Sequence, residues 1–286
     1  MVHLSLFLLS LFIFTSIAFE CPTGWTPSSD KTKCFVVVQK EASFADAEVD
    51  CENRGGNLAS VQSTKDNSLI RHGQDRLLWI GGQDAHSNGT WTWTDGADLK
   101  FTNWAAGEPS QFSDKNCVVM DAFTGLWEAV FCDEKFNLYV CEEVDPALNK
   151  CPKGAMCHNG YAYLFTPDQF DSWDSAAAYC RQTYKKGNLA SIHDKVTDMV
   201  IRELVKNSCA SNSFCEIMSL LGGRVDVQGD KSWSDGSPWD YPLTVLMDDG
   251  IAACMYIMYD DKGSAYDTSY NFSSDCSGRA ICEVKI

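Results

Sequence analysis

The second half of this chain repeats the first. Three segments return in the same order. CENRGGNLASV (Cys51–Val61) returns as CRQTYKKGNLASI (Cys180–Ile192), and WIGG (Trp79–Gly82) returns as LLGG (Leu220–Gly223). WTDG (Trp93–Gly96) returns as WSDG (Trp233–Gly236). Three later cysteines of the first half also recur in order in the second. Self-similarity of this kind predicts two copies of one structural unit.

The boundary between the copies falls in the charged segment EEVDPALNK, which follows the last cysteine of the first copy. We therefore expect a first domain over residues 19–143, a linker over 144–150 and a second domain over 151–286. Because the linker is short, the two domains are expected to be close neighbours.

Residues 1–18 are expected to be a secretory signal peptide. An apolar run from Leu4 to Ile17 is interrupted only by Ser and Thr, and the small residues Ser16 and Ala18 precede a cleavage point before Phe19. A helix that spans a bilayer needs about 20 residues, so this run is too short for one. The sequence thus predicts a secreted, extracellular protein without membrane insertion.

Cysteine content and net charge indicate where the protein folds and which partners are excluded. Fourteen cysteines behind a signal peptide indicate disulfides made in an oxidising compartment, and the even count leaves none obligatorily free. There is no Cys-x-x-Cys pair, and the five histidines show no zinc-ligand spacing, so structural zinc is not expected. The net charge of −16 argues against nucleic acid and against an anionic membrane surface as partners.

Periodicity predicts helices first and strands after in each copy, which is an α+β arrangement. Ser43 is placed to cap a helix that has Asp46 at the capping-box position, and Gly55-Gly56 should end that helix. The buried face of this helix is expected to carry Phe44, Ala47 and Cys51.

The first helix of the second copy should end at Gly187, and a second helix should follow over Asp194–Val205. The apolar stripe of that first helix consists of Trp173, Ala176, Ala177 and Cys180. Alternation and β-branched content predict strands in the segments LLWIGG, NCVVMD, NLYVCE, ACMYIMYD and RAICEV.

This order of motifs resembles the C-type lectin-like domain, twice over. In the first copy the resemblance is carried by Cys51, Trp79–Gly82, Trp93–Gly96, Asn103-Trp104, Cys117, Cys132 and Cys141-Glu142. It implies two tandem α+β domains, each with two helices packed on antiparallel sheets, a long loop region and disulfide bridges. The chain is also similar to secreted tandem-lectin proteins of invertebrates, of the nematode-like type, and this similarity implies a role in innate defence at an epithelial surface.

The resemblance further implies the disulfide map. In the second copy the hairpin cysteine expected near Ala162 is missing, and Cys157 offers a tighter partner for Cys151 that closes a short loop. Cys209 and Cys215 form an insertion that is expected to close its own loop. The expected pairs are Cys21–Cys34, Cys51–Cys141, Cys117–Cys132, Cys151–Cys157, Cys180–Cys282, Cys209–Cys215 and Cys254–Cys276.

In sugar-binding members of the family, one calcium ion bridges protein and saccharide. Its ligands are the Glu and Asn of a Glu-Pro-Asn motif, an acidic residue before the next cysteine, and the Asn-Asp of a Trp-Asn-Asp motif. This chain keeps Glu108 and Pro109, but Ser110 replaces the first Asn and Ala129 removes an anionic ligand. Because Ca²⁺ requires about 6–8 oxygens, several of them anionic, these losses predict that the loop keeps its shape without the metal.

One position in the loop depends on register. Lys115 occupies the acidic position when counted back from the next cysteine, whereas Asn116 occupies it when counted forward from Glu108. An ammonium group within about 5 Å of the ion would repel it, even at an effective dielectric of about 20. If the loop instead turns Lys115 outward, then Glu108, Asp114 and Glu128 remain as an alternative, poorer metal set. We expect no calcium and no other cofactor.

The candidate ligand-binding residues surround this loop: Glu108, Ser110, Asp114, Glu128, Trp104 and Trp127. Aromatic faces pack against sugar rings, but burial beneath the loop is an equally good interpretation of the two tryptophans. The second copy has no Glu-Pro-Asn, and Phe272-Ser273 occupy its Asn-Asp positions. Its acidic pairs, Asp248-Asp249 and Asp260-Asp261, are interpreted as solvated loops rather than as a metal site.

Two sequons predict N-glycosylation, at Asn88 and at Asn271. Asn88 lies in a turn-like segment, and a glycan at Asn271 would obstruct the ligand surface that the resemblance implies for the second domain.

The leading hypothesis is a secreted recognition protein that binds a glycan or protein ligand without calcium. The alternative is a calcium-independent protein–protein interaction module, or a matrix component, that binds no sugar. The chain carries no Gly-x-Ser-x-Gly, His-Glu-x-x-His or phosphate-loop motif, so no enzymatic activity is expected. The sequence leaves the ligand and the oligomeric state open.

Overall fold

The computed structural model describes residues 19–71, 73, 76–85, 87–110, 114–209, 217–243, 245–246, 253–259, 268–274 and 276–286. In this part of the chain the helices are α1 (Phe44–Asn53), α2 (Thr64–Leu69), α3 (Trp173–Thr183) and α4 (Lys195–Cys209). The first half contains the strands β1 (Thr26–Pro27), β2 (Lys33–Ala42), β3 (Asn57–Leu58), β4 (Leu77–Gln83), β5 (Thr92–Trp93), β6 (Cys117–Asp121), β7 (Trp127–Val130) and β8 (Phe136–Val144).

The second half contains nine strands within the same described ranges. They are β9 (Met156–His158), β10 (Tyr161–Phe165), β11 (Gly187–Leu189), β12 (Ile217–Val225), β13 (Lys231–Trp233), β14 (Val245–Leu246), β15 (Ala253–Tyr259), β16 (Thr268–Ser273) and β17 (Arg279–Lys285). Among the described residues, no helix combines the length and the apolar composition that crossing a bilayer requires.

Polar side chains start the helices. The hydroxyl of Ser43 accepts a hydrogen bond from the backbone N–H of Asp46 at 3.3 Å, which confirms the predicted cap of α1. Ser63 and Ser172 cap α2 and α3 in the same way. At α4, Asp194 Oδ1 accepts from a backbone N–H of the first turn at 2.8 Å. Each cap satisfies a donor that the first helical turn leaves unpaired.

The helices bury the faces that periodicity predicts. Phe44, Ala47 and Cys51 of α1 are fully buried, and so are Ala176, Ala177 and Cys180 of α3, with Trp173 nearly so. The predicted end of α3 at Gly187 is wrong by one turn. The helix stops at Thr183 because Gly187 begins β11, which pairs with β17.

The two sheets have the same strand order. The first runs β1-β2-β8-β4-β6-β7, and the second runs β14-β16-β15-β12-β17-β10-β9. The strands β2, β8, β4, β6 and β7 of the first sheet correspond, in this order, to β10, β17, β12, β15 and β16 of the second. The expectation of purely antiparallel sheets is wrong, because β4 pairs with β8 in parallel and β12 pairs with β17 in parallel. Each sheet is therefore mixed.

The first glycine of the Gly-Gly segment lies against a neighbouring backbone in both halves. The Gly81 N–H donates to the Ala59 carbonyl at 2.9 Å, and the Gly222 N–H donates to the Ala190 carbonyl at the same distance. A Cβ atom on Gly81 would lie 2.6 Å from a backbone carbonyl oxygen, and one on Gly222 would lie 2.8 Å from the corresponding oxygen. Only glycine permits so close an approach of two backbones.

Disulfides close loops within each half. The structure forms the pairs Cys21–Cys34, Cys51–Cys141, Cys117–Cys132, Cys151–Cys157, Cys180–Cys282 and Cys254–Cys276. The expected pair Cys209–Cys215 lies outside the described residues. The bridge from α1 closes 90 residues and the bridge from α3 closes 102, so each ties the first helix of its half to the last strand. A bridge that closes a long loop typically contributes about 2–4 kcal/mol to stability.

The two halves pack on each other through α1 and α4. One hydrophobic cluster contains Phe44 and Ala47 of α1 together with Val200, Ile201 and Leu204 of α4. Burying aliphatic side chains on both sides is favourable at roughly 25 cal/mol per Å² of apolar surface removed from water. The halves therefore share a core instead of hanging on a flexible tether.

Polar groups complete the contact between the halves. Asn53 at the end of α1 donates to Glu203 Oε1 at 3.1 Å and accepts from the Asn207 amide at 3.1 Å, both on α4. At the opposite end of the contact, the Asn159 N–H donates to the Thr94 carbonyl at 2.6 Å. These bonds fix the rotation of one half against the other.

Candidate ligand-binding site

The long loop of the first half runs beside the β6–β7 hairpin. The Trp127 N–H donates to the Asn103 carbonyl at 2.9 Å, and the Ala105 N–H donates to the Trp127 carbonyl at 2.8 Å, so the start of the loop is pinned along β7. The Glu108–Pro109 peptide bond is cis. This arrangement presents the Glu108 side chain toward β7.

The Glu108 carboxylate is held by the protein itself. Its Oε2 atom accepts a hydrogen bond from the Ser110 N–H at 2.9 Å and another from the Ala129 N–H at 3.0 Å. The Ser110 hydroxyl is buried and makes no hydrogen bond with the described residues. Glu108 therefore acts as a clamp between the loop and β7, with one oxygen already engaged by two backbone donors.

The other candidate ligands are spread apart. Asp114 is exposed, Glu128 is half-buried on β7, and the Lys115 ammonium lies 5.8 Å from the centre of the Phe131 ring. The Asn116 amide donates to the Ser87 hydroxyl at 2.7 Å and so is engaged on the opposite side from the loop.

These residues do not fit a calcium ion. Within the part of the chain that the structure describes, Glu108, Asp114 and Glu128 do not bring their carboxylate oxygens together as a ligand group. Ala129 supplies only a backbone N–H, which is a donor and is used by Glu108. Ca²⁺ is bound by converging oxygens, and these three carboxylates do not converge.

The two tryptophans occupy different environments. Trp127 is fully buried, its indole N–H donates to Asn67 Oδ1 at 2.7 Å, and its ring contacts Trp93 and Trp104 edge to face. The sequence-based assignment of Trp127 to the ligand surface is therefore corrected, since Trp127 is a core residue. Trp104 is half-buried and packs against Trp91 at 5.0 Å, so part of its ring remains accessible.

Exposed apolar side chains surround the same hairpin. Phe123 is 59% exposed at its tip, and Leu126 and Phe131 are 39% and 44% exposed. The tip is rigid because the Asp121 carboxylate accepts hydrogen bonds from two backbone N–H groups and from the Thr124 hydroxyl. Hydrogen bonding by Thr124 accordingly lowers the pKa of Asp121. Sequence reasoning did not anticipate this apolar surface.

The second half offers a different surface. Trp239 stacks on Trp233 with ring centres 4.4 Å apart, and Lys231 lies 5.5 Å from the centre of the Trp239 ring. Phe272 is buried, which agrees with its inability to act as an Asn-type ligand. The acidic pairs Asp248-Asp249 and Asp260-Asp261 lie outside the described residues.

The two predicted glycosylation sites differ in setting. Asn88 is exposed in a turn, where its side-chain oxygen accepts from the Thr90 N–H at 2.9 Å. Asn271 lies within β16, opposite Tyr256 of β15.

Sequence reasoning missed a group of side chains between the halves. Glu48 and Glu52 of α1 meet His158 of β9, and their potential metal-binding atoms lie within 4.8 Å of one another. The signal was hidden because about a hundred residues separate the two acids from the histidine, so no spacing rule connects them.

Residues 40–143 match the family model described as the lectin C-type domain. The galactose-specific lectin nattectin of Thalassophryne nattereri is 32% identical over 41% of this chain and 76% of its own length. A type-2 ice-structuring protein of Hemitripterus americanus is 33% identical over 40% of this chain and 69% of its own. Lymphocyte antigen 75 of Homo sapiens is 27% identical over 76% of this chain, and the match spans only 13% of that relative.

Proposed function

This chain belongs to the C-type lectin domain family, and from that premise we propose that it is a secreted recognition protein that binds carbohydrate or protein ligands without calcium. The proposal includes the tandem organisation, with domains over 19–143 and 151–286. Two observations support the tandem organisation. The two sheets share one strand order, and the match to lymphocyte antigen 75 of Homo sapiens extends well beyond residues 40–143. Secretion after removal of residues 1–18 and a role in innate defence are parts of the proposal that rest on sequence resemblance.

The observation that carries the calcium-free part is the position of Glu108. A carboxylate that serves a metal keeps its oxygens turned toward the ion, whereas Glu108 Oε2 accepts two backbone N–H groups. Replacing these bonds by a metal would leave two partly buried donors unpaired, which costs roughly 1–3 kcal/mol each. In a calcium site, bonds from the ion to neighbouring oxygen ligands would offset that cost, and this loop has lost those ligands.

The test is ligand binding by the full chain on a glycan array, with calcium and with chelator, starting with galactose because one relative is named for it. We expect the same pattern of bound glycans in both conditions. Isothermal titration with calcium alone should show no saturable binding at the loop. Saturable binding that is lost in Glu108→Gln and kept in the control Glu134→Gln would overturn the calcium-free assignment.

A protein ligand is the second candidate, and one observation favours it. Phe123, Leu126 and Phe131 form an apolar surface on and beside the β6–β7 hairpin, and exposed aromatic residues are enriched at protein–protein contacts. An array without bound glycans would favour this candidate. In that case Phe123→Ser should weaken binding to the protein partner without changing the stability of the fold.

A further inference from the structure

A buried polar group lies at the contact between the two halves. Glu48 and Glu52 are one helical turn apart on α1, so their side chains lie on the same face of that helix. His158 closes the group from β9, with its Nδ1 atom 3.8 Å from Glu48 Oε1. Glu48 and His158 are both fully buried.

The group lacks the partners that buried polar atoms require. His158 Nδ1 and both carboxylate oxygens of Glu52 are buried and make no hydrogen bond with the described residues. Burial, reinforced by the carboxylates of Glu48 and Glu203, raises the pKa of Glu52 well above its usual range. Orphaned polar atoms are rare in folded proteins, and each one costs roughly 1–3 kcal/mol.

Surrounding residues nevertheless hold two of the three side chains in place. Glu48 Oε1 accepts from the Asn57 amide at 2.7 Å, and Glu48 Oε2 accepts from the Leu58 N–H at 2.8 Å. On the far side of the imidazole, His158 Nε2 lies 3.4 Å from the Gln83 amide and 3.8 Å from Asp194 Oδ1. A histidine whose second nitrogen faces a carboxylate is the usual arrangement behind a metal-bound imidazole.

We propose that Glu48, Glu52 and His158 bind one zinc ion between the two halves. His158 would contribute Nδ1, the two glutamates one oxygen each, and water the fourth position of a tetrahedral site. Bond lengths near 2.0–2.2 Å require the three atoms to close by roughly 1 Å from their present separations, within reach of side-chain rotation. The ion's charge would neutralise the two buried carboxylates and give His158 Nδ1 and one Glu52 oxygen a partner.

The donor set distinguishes zinc from calcium. One imidazole nitrogen with two carboxylates suits a first-row divalent cation, whereas Ca²⁺ requires about 6–8 oxygens. A cleft between the halves, with a volume of about 380 Å³, is lined by Gln83 and Asp194, which contact His158 Nε2 on the side of the imidazole away from the two glutamates.

The consequence would be a metal link between α1 of the first half and β9 of the second. Zinc binding would stabilise this one arrangement of the two halves and hence the relative position of their ligand surfaces. The stabilisation that a bound ligand gives increases with the ratio of its free concentration to its dissociation constant.

The experiment uses the full chain, freed of metal and then titrated with Zn²⁺. We expect one bound zinc per chain and a rise in Tm of about 5–10 °C when free zinc reaches a hundred times its dissociation constant. Co²⁺ in place of zinc should give visible d–d absorption typical of a low-coordinate site. Calcium should give no such shift in Tm.

Two variants and one control separate the site from other effects. Glu52→Gln should fold normally, because the Glu52 oxygens make no hydrogen bond, and it should weaken zinc binding at least about 10-fold. His158→Gln should abolish the cobalt absorption, and His193→Gln, which changes a histidine that lines the cleft, should leave both readouts unchanged. The proposal is overturned if metal-free protein shows no zinc-dependent rise in Tm, or if Glu52→Gln shows the same rise as the unaltered chain.

Discussion

At the scale of single residues, the two halves treat one buried glutamate differently. In the first half, the Lys33 ammonium lies 3.0 Å from Glu142 and 3.2 Å from Asp95, and although burial disfavours its charge, these two carboxylates raise the pKa of Lys33. In the second half, Tyr161 is at the position of Lys33 in the strand register, so Glu283 pairs with no cation among the residues that the structure describes. Burial, with the nearby Asp235, raises the pKa of Glu283 to about 8.

The raised pKa of Glu283 predicts how stability depends on pH, and because burial also raises the pKa of Glu142 to about 8, a change at Glu283 should remove only part of that dependence. Folded Glu283 keeps its proton up to about pH 8, whereas in the unfolded chain it loses the proton near 4.5. The folded state therefore binds more protons across that window, and the free energy of unfolding should fall as pH rises through it. Urea unfolding of the full chain at several pH values should show this decline, and Glu283→Gln should make it shallower. The exposed control Glu134→Gln should keep the original slope, and an equal slope in Glu283→Gln would contradict the assignment.

At the scale of helices and strands, the sequence predicts those features that depend on residues close together along the chain. The cap at Ser43, the buried face of α1 and the core strands β4, β6, β8, β15 and β17 could all be predicted, because capping and periodicity depend on neighbouring residues. The end of α3 could not, since pairing of β11 with β17 depends on residues far along the chain. The same limit left the burial of Trp127 undecided, because Trp93, Phe101 and Trp104 pack around it only in the folded chain.

The cap of α1 gives a prediction for one element. Ser43→Ala removes the acceptor for the Asp46 N–H and should destabilise the protein by about 1 kcal/mol. Urea unfolding at neutral pH would measure the loss, with Ser68→Ala as control because the Ser68 hydroxyl only donates back to a carbonyl of its own helix. A loss in Ser43→Ala no larger than in Ser68→Ala would show that water replaces the cap.

At the scale of the whole molecule, the duplication follows from the order of short motifs and six of the bridges from the family resemblance that those motifs carry, but the packing of the halves follows from neither. The linker length suggested proximity and nothing about which surfaces meet. The candidate loop was located from Glu108 and Pro109, whereas the inward bonds of Glu108 depend on a β7 backbone that only the fold brings near. The set of Glu48, Glu52 and His158 exists only because the halves are packed together.

A matched pair of glycines tests that packing. Gly96 and Gly236 end the repeated turns with φ near +81° and +80°, but a Cβ on Gly96 would lie 2.4 Å from the Gly160 nitrogen of the other half, and one on Gly236 would meet nothing within 4 Å. Gly236→Ala should cost about 1 kcal/mol, from backbone conformation alone. Gly96→Ala should cost clearly more and should speed proteolysis in residues 144–150. Equal losses in the two variants would mean that the halves separate without cost.

The placement of the bridges also decides how the molecule would respond to a pull on its ends. Force would pass from Cys51 straight to Cys141 and from Cys180 straight to Cys282, so the sheet strands and loops between them carry no tension. Only residues 35–50, 142–150 and 158–179 lie in the mechanical path between bridges and could lengthen. Once those three segments were drawn out, the chain would stop extending while most of its residues were still folded.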